Sequence, residues 1–204
     1  MRYPGAEDID GRQILWSGST AGPSAIPGTY QVQLLVNDEV VSEQDFELTK
    51  DPRIETTQED FQEQFNLHQA IIAKLDTTHK TINRIRDVRA QINEVKSDNP
   101  DDTEIQERAD AVLEVLENVE GELMQTKAES YQDVLNFPIK LNNKLASLAS
   151  TVATGDGRPT QQQYEVYEDL SAQIDEQFER IIEVFEGELP DQIKEIEQRS
   201  IRLN

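Results

Sequence analysis

The stretch TTQEDFQEQFNLHQAIIAKLDTTHKTINRIRDVRAQINEVKS, residues 56–97, decides the fold of this chain. Neither glycine nor proline interrupts it, and its apolar residues recur in steps of four and three, the spacing of one helix face. Thr56 and Glu59 form a Thr-x-x-Glu pattern that is typical of a helix start. We therefore expect a single helix of about 40 residues and about 60 Å. Its apolar stripe comprises Phe61, Phe65, His68, Ile72, Leu75, His79, Ile82, Ile85, Val88, Ile92 and Val95.

Three further amphipathic helices follow. The run Ser97-Asp98-Asn99-Pro100-Asp101-Asp102 breaks the first helix and caps the second, and Pro138 is expected in the first turn of the third. Thr160 and Gln163 cap a fourth helix, which Gly187 and Pro190 should bend or break before a last segment at 191–203. The stripes are Ile105, Ala109, Val112, Leu116, Val119 and Leu123; Leu141, Leu145, Leu148 and Val152; and Tyr164, Tyr167, Leu170, Ile174, Phe178, Ile181 and Phe185.

Short connections between these helices predict an antiparallel four-helix, up-and-down bundle over residues 54–204. The first two helices should pair so that the numbers of adjacent residues sum to about 199. That register places Arg89 level with Asp110 and Arg86 near Glu114, as exposed pairs that contribute about 0–1 kcal/mol each. Charge reversal at Arg89 should therefore cost far less than Leu116→Ala. The pairs flank an apolar seam of Ile82, Ile92, Val112 and Leu116.

Residues 1–53 differ in composition, with four of the eight prolines and five of the nine glycines. Alternating apolar residues predict strands from Thr29 to Val36 and from Val40 to Leu48, joined by a turn at Asn37 and Asp38. Residues 14–16 could add a third strand. Three strands make an incomplete β-sandwich-like segment, so its missing strands should precede Met1, or the segment should pack on the helices.

Composition disfavours several classes of function. The 41 acidic residues outnumber 19 basic ones, giving a formal charge of −22, which repels nucleic acid and anionic membrane surfaces. Cysteine is absent, so there is no disulfide or thiolate chemistry. No apolar run reaches the roughly 18 residues of a membrane span, and the N-terminus does not resemble a signal peptide.

No catalytic, cofactor or metal site is predicted. His68 and His79, the only histidines, lie eleven residues apart on one stripe, about 16 Å along the helix, and are interpreted as buried structural residues. Trp16, Tyr164 and Tyr167 are interpreted as core residues rather than as a sugar-stacking platform. The abundant carboxylates are interpreted as solvated helix faces and caps, since a glycosidase needs two of them across a cleft.

Several short motifs resemble one known pattern. They are Met1–Ala6, Ile14–Trp16, Gly22-Pro23, Pro27-Gly28-Thr29-Tyr30-x-Val32-x-Leu34, Asp51-Pro52-Arg53 and Asn136-Phe137-Pro138-x-Lys140-Leu141. Together they resemble the region after the propeller in bacterial BNR-repeat, sortilin-like proteins that are often labelled glycosyl hydrolases. The resemblance implies a β-propeller and the first strands of a sandwich before Met1, in an exported parent protein. The Asp-box of that family, Ser-x-Asp-x-Gly-x-x-Trp, does not occur in this chain.

The sequence thus favours a non-catalytic accessory module at the end of a larger propeller-containing protein. Its expected partner is the upstream propeller or sandwich of the same parent, and another protein or a second copy of the chain is left open. A module that binds glycans or a basic protein through acidic faces is the first alternative. Part of a glycoside hydrolase, with its active site outside this chain, is the second.

Overall fold

A computed structural model describes residues 1–9, 14–16 and 18–188, with side chains as far as Glu186. It confirms a mainly helical bundle preceded by a small sheet. The predicted last segment at 191–203, and Pro190 with it, lies outside the described residues. The elements are β1 Gly28–Val36, β2 Glu39–Leu48, α1 Gln58–Asp98, α2 Thr103–Leu123, α3 Leu141–Val152 and α4 Gln161–Glu183, with a 3-10 turn at Asp133–Leu135 and a π-helical turn at Val184–Glu188.

Helix α1 is the single long helix that the sequence predicts, but it starts one residue later than expected. Its capping box joins Thr57 to Asp60: the Asp60 amide donates to the Thr57 hydroxyl (3.2 Å) and the Thr57 amide to the Asp60 carboxylate (3.0 Å). The hydroxyl of Thr56 is engaged elsewhere, because it donates to the carbonyl of Asp156 at 2.6 Å. The helix then continues without a break for 41 residues.

The helices form three columns: α1 is the first, α2 followed by α3 is the second, and α4 is the third. The carbonyl of Val152, at the end of α3, accepts a hydrogen bond from Gln64 near the start of α1. The start of α3 lies beside the end of α2, where Lys140 contacts Glu122. Helices α2 and α3 therefore both run antiparallel to α1, one after the other, so the helices form a bundle but do not alternate in direction at every connection as the predicted up-and-down order requires. Neither α2, of 21 residues, nor α3, of 12, is long enough to cover α1 alone.

Helix α4 forms the third column and runs parallel to α1. Near its start the hydroxyl of Tyr167 donates to the carbonyl of Ala70 (3.4 Å), and further along Asp175 accepts a hydrogen bond from Lys74 (2.7 Å). Its predicted cap of Thr160 and Gln163 is confirmed. The α-helix ends at Glu183, ahead of Gly187, and passes into the π-helical turn.

The second and third helices differ from prediction at the ends that face each other. Helix α2 stops at Leu123 because Met124 takes an extended conformation and buries its side chain. Helix α3 begins at Leu141 rather than at Pro138, whose carbonyl accepts a hydrogen bond from Gln125 (2.8 Å) and belongs to the connection. All six predicted stripe residues of α2 and all four of α3 are buried.

The pairing of α1 with α2 is antiparallel, but its predicted register is wrong. Ion pairs join Arg86 to Glu120 (2.8 Å) and Lys96 to Asp110, whose residue numbers sum to 206 in both cases. Arg89 also joins Glu120, and these numbers sum to 209. Helical side chains point back towards the N-terminus of their own helix. When two side chains meet across antiparallel helices, the Cα atom of each therefore lies on the C-terminal side of the contact along its own helix. The numbers of such a pair sum to more than the numbers of two residues whose Cα atoms lie at the same height.

The N-terminal segment, meaning the described residues before β1, packs on the bundle. Its two ends lie side by side, since the amide of Tyr3 donates to the carbonyl of Pro23 at 2.9 Å. A Cβ atom on Gly22 would lie 2.2 Å from the carbonyl oxygen of Pro4, so only glycine permits this approach. Ile9 is 5% exposed and belongs to the hydrophobic core of the helices. The division at residues 53 and 54 stays a prediction, and these contacts cross it.

The third strand proposed at residues 14–16 is not formed. Instead, the amide of Leu15 donates to the side chain of Asn143 on α3 at 2.6 Å. Trp16 then adopts a positive φ of 51° and is 55% exposed, so its interpretation as a core residue is wrong. Ile14 packs on the bundle core while the chain turns Trp16 away from it.

Candidate functional site

The β1–β2 hairpin is the part of the described chain that lacks a packing partner for a whole apolar face. Both strands and the turn at Asn37 and Asp38 are confirmed, and the two turn residues have positive φ values of 52° and 66°. Positive φ at both central positions is the type I′ geometry that fits the twist of a hairpin. The two strands form a separate antiparallel sheet of order β1–β2.

One face of this hairpin is apolar along β1 but mixed along β2, where Gln44 lies opposite Val32 and Ser42 lies opposite Leu34. Tyr30 lies opposite Phe46, and their rings stack with centroids 5.9 Å apart. Towards the turn, Val32 is 55% exposed and Leu34 is 59% exposed. Leu35, Val36, Val40 and Val41 make the end of the hairpin apolar as well, each about half exposed. We call Tyr30, Val32, Leu34, Val36 and Phe46 the apolar face.

The opposite face is polar and acidic. Gln31 lies opposite Asp45 and donates to its carboxylate, and Gln33 lies opposite Glu43 and does the same at 2.6 Å. Strand β2 carries four carboxylates, whereas β1 carries no charged residue. The hairpin is thus an amphipathic ribbon with its apolar face in water.

The base of the hairpin is fixed to the start of α1. Gln58 of α1 donates to the carbonyl of Pro27 at 2.9 Å, and Lys50 donates to the carbonyl of Thr56 at the same distance. Tyr30 donates its hydroxyl to the carbonyl of Ile26 (2.8 Å), and partial burial raises the pKa of this phenol. Two hydrogen bonds therefore tie the base of the hairpin to the start of α1, while its outer part is exposed.

Both histidines lie where the sequence places them, buried on one face of α1. Their exposed fractions are 4% for His68 and 1% for His79. Nδ1 of His79 lies 2.5 Å from the carbonyl oxygen of Glu7, and because a carbonyl can only accept, Nδ1 carries the proton. His68 hydrogen-bonds to the backbone of Ala21. Each ring therefore fastens the N-terminal segment to α1, and each Nε2 is buried without a hydrogen bond.

Burial lowers the pKa of both histidines below the ordinary value of 6.5. The carboxylates of Glu7, Asp8 and Asp76 oppose this shift at His79, and Arg2 adds to it at His68. Because the unfolded chain binds these protons more readily, folding stability is complete above about pH 6.5 and falls as pH decreases through the folded-state pKa values.

We therefore expect the free energy of unfolding to decrease between pH 7.5 and pH 5.5, measured by urea denaturation. The double variant His68→Gln/His79→Asn should show a flatter dependence over the same range, because neither replacement can take up a proton. An equal slope in the two proteins would contradict the assignment of the pH dependence to these rings.

Several carboxylates near the helix starts make structural contacts. Arg158, in the loop before α4, contacts Glu59, Asp60 and Glu63 at the start of α1. Hydrogen bonds from Thr57 and then from Arg158 lower the pKa of Asp60 to about 2. The predicted capping role at residues 98–102 is confirmed for Asp102, which accepts from the amide of Ile105 at 3.1 Å.

Two cavities among the described residues reach the roughly 300 Å³ of ordinary ligand pockets. One of about 380 Å³ is lined by Asp8, Ser19, Thr20 and His79 among others, and one of about 300 Å³ lies beside Glu122, Lys140 and Lys144. Phe65, His68 and Asp156 share a pocket of about 70 Å³, well below the roughly 300 Å³ of ordinary ligand pockets. Within the described residues, no group of three or more His, Asp or Glu side chains could hold a metal ion. Over the same part of the chain, no helix is both long and apolar enough to span a membrane. Tyr164 and Tyr167 pack against the core, as predicted.

No family model matches the chain, and no curated protein or solved structure matches it either.

The sequence identified the strands of the hairpin but not that one whole face would remain uncovered. A signal was available in the run Leu34-Leu35-Val36 and the pair Val40-Val41, which flank the turn. Apolar residues on both sides of an outward turn are unusual for a strand end that faces only water.

Proposed function

We propose that this chain is a non-catalytic accessory module in which the helical bundle carries the hairpin as a docking element. The bundle is the scaffold, and the apolar face is the contact surface. The partner is the upstream propeller or sandwich side of the same parent protein. The observation that carries this proposal is the exposure of Val32, Leu34, Val36 and Phe46 along one face of a hairpin whose base is hydrogen-bonded to the start of α1.

Physical chemistry supports a docking role for this face. A two-stranded hairpin is marginally stable in water by itself and needs a covered face. Apolar patches of this kind, rimmed by polar groups, mark sites of protein contact. The resemblance to the region after the propeller in BNR-repeat, sortilin-like proteins supports the same partner, because there the missing strands of a sandwich precede this segment.

Binding between two separately produced polypeptides tests the proposal. The probe is the polypeptide encoded directly upstream of Met1 in the same gene, titrated into the chain by calorimetry. We expect Val32→Ser/Leu34→Ser to weaken binding by at least about tenfold, since two buried apolar side chains are lost.

The matched control is Val166→Ser on α4, whose residue is 45% exposed and lies outside the hairpin. It should bind like the original chain. Unchanged affinity of the hairpin variant, or a gene that encodes no upstream polypeptide, would contradict the proposed function.

A further inference from the structure

We infer that the partner adds a strand to the outer edge of β1, which no described strand pairs, while the outer edge of β2 stays in water. This inference rests on the proposed function and adds which edge is used and which kind of partner fits it. The occupant is an uncharged strand at the edge of a sheet whose layers also cover the apolar face.

The charges of the two strands distinguish their edges. Each strand of a two-stranded sheet presents one row of unpaired amides and carbonyls to its outer side. Beside β2 that row is accompanied by Glu39, Glu43, Asp45 and Glu47, of which Glu43 and Asp45 are at the middle of the strand. Charged side chains along an edge oppose the addition of another strand. Before the register shift at Leu34 and Leu35, the polar face of β1 carries Thr29, Gln31 and Gln33. None of these side chains is charged, so no charge of β1 opposes the addition of a strand to its edge.

The glutamines of β1 fix the position of two of these carboxylates. Gln31 and Gln33 direct their amide groups across the hairpin to Asp45 and Glu43, and Gln33 also donates to Gln31. The carboxylates are thereby held over the polar face of the hairpin by its own side chains. The apolar face on the other side carries Val32 and Leu34 without any acid of β1 nearby.

A second copy of this chain cannot pair with the edge of β1 and cover the apolar face at the same time. Two hairpins joined antiparallel through β1 are related by a two-fold axis perpendicular to the sheet, so both apolar faces lie on the same side and remain in water. Two hairpins packed face to face cover those faces but leave both β1 edges unpaired. A partner that supplies a neighbouring strand and a second apolar layer covers both, as in a β-sandwich.

Residue-resolved hydrogen exchange tests this assignment on the chain alone and on its complex with the upstream polypeptide. In the hairpin, alternate amides of each strand bond across to the other strand, and the rest point outwards. We expect the outward amides of β1 to exchange at least tenfold more slowly in the complex. The outward amides of β2 should exchange as they do in the free chain.

The other outcomes separate the two claims. Slowing at β2 instead of β1 would overturn the edge assignment and leave the proposed function standing. Absence of a complex would overturn the proposed function itself. Slowing at β1 that grows with the concentration of the chain alone would show that a second copy is the occupant and would overturn the inferred partner.

Discussion

Replacing Leu116 with alanine is expected to lower the free energy of unfolding by about 2–5 kcal/mol. Leu116 is completely buried where α2 packs on α1, within the core that also contains Ile82 and Val112. Truncation removes the transfer free energy of its methyl groups and leaves a cavity that a long, regular helix pair cannot easily close. Urea denaturation measures the loss.

The same substitution at Leu135 provides the control, because that side chain is 74% exposed in the connection between α2 and α3. Leu135→Ala should change stability by no more than about 0.5 kcal/mol. A loss of less than about 1 kcal/mol at Leu116 would mean that the seam between α1 and α2 is not the core of the bundle.

Removing both arginines that hold Glu120 is expected to cost about 3–5 kcal/mol, because it leaves a buried carboxylate unpaired. The Glu120 side chain is only 5% exposed and accepts hydrogen bonds from Arg86 and Arg89. The variant Arg86→Met/Arg89→Met keeps most of the side-chain volume and removes the two charges. Thermal or urea unfolding at neutral pH measures the effect.

Two controls identify the buried charge as the cause. Adding Glu120→Leu to the double variant should recover most of the lost stability, since an apolar group of similar size replaces the uncompensated carboxylate. Arg108→Met removes an exposed pair with Glu104 and should cost about 0–1 kcal/mol. Failure of the Glu120→Leu addition to recover stability would contradict this explanation.

This pairing also corrects the expected effect of charge reversal at Arg89. An exposed pair with Asp110 predicted a small cost, far below that of Leu116→Ala. Because Arg89 binds the buried Glu120 instead, Arg89→Glu would place a carboxylate against a carboxylate that water does not screen. The cost should therefore approach that of the core substitution.

Much of the helical architecture follows from the sequence. The stripes of α2, α3 and α4 recur at helical spacing, and such stripes are buried whatever the direction of the neighbouring helix. Register and direction depend on geometry that a periodic pattern does not contain. Glu120 falls next to Val119 on the buried side of α2, yet nothing in its local sequence shows that two arginines from α1 reach it.

The candidate site also has features that the sequence predicts and features that it does not. Alternation and the Asn37-Asp38 turn predict the hairpin because these are local properties of the chain. Exposure of Val32 and Leu34 is a property of what lies across from the sheet, so alternation alone cannot decide it. Trp16 is exposed rather than buried for a related reason. The hydrogen bond between Leu15 and Asn143, which are 128 residues apart, holds the chain where the Trp16 side chain points away from the core.

If the apolar face of the hairpin serves contact with a partner, as proposed, its exposed residues Val32 and Leu34 should contribute little to the stability of the isolated chain. The most direct measurement is the free energy of unfolding of the isolated chain carrying Val32→Ser/Leu34→Ser, from urea denaturation followed by helical circular dichroism. We expect a change within about 0.5 kcal/mol of the original chain, as for exposed surface positions. A loss of more than about 2 kcal/mol, the size expected for buried apolar side chains, would contradict it.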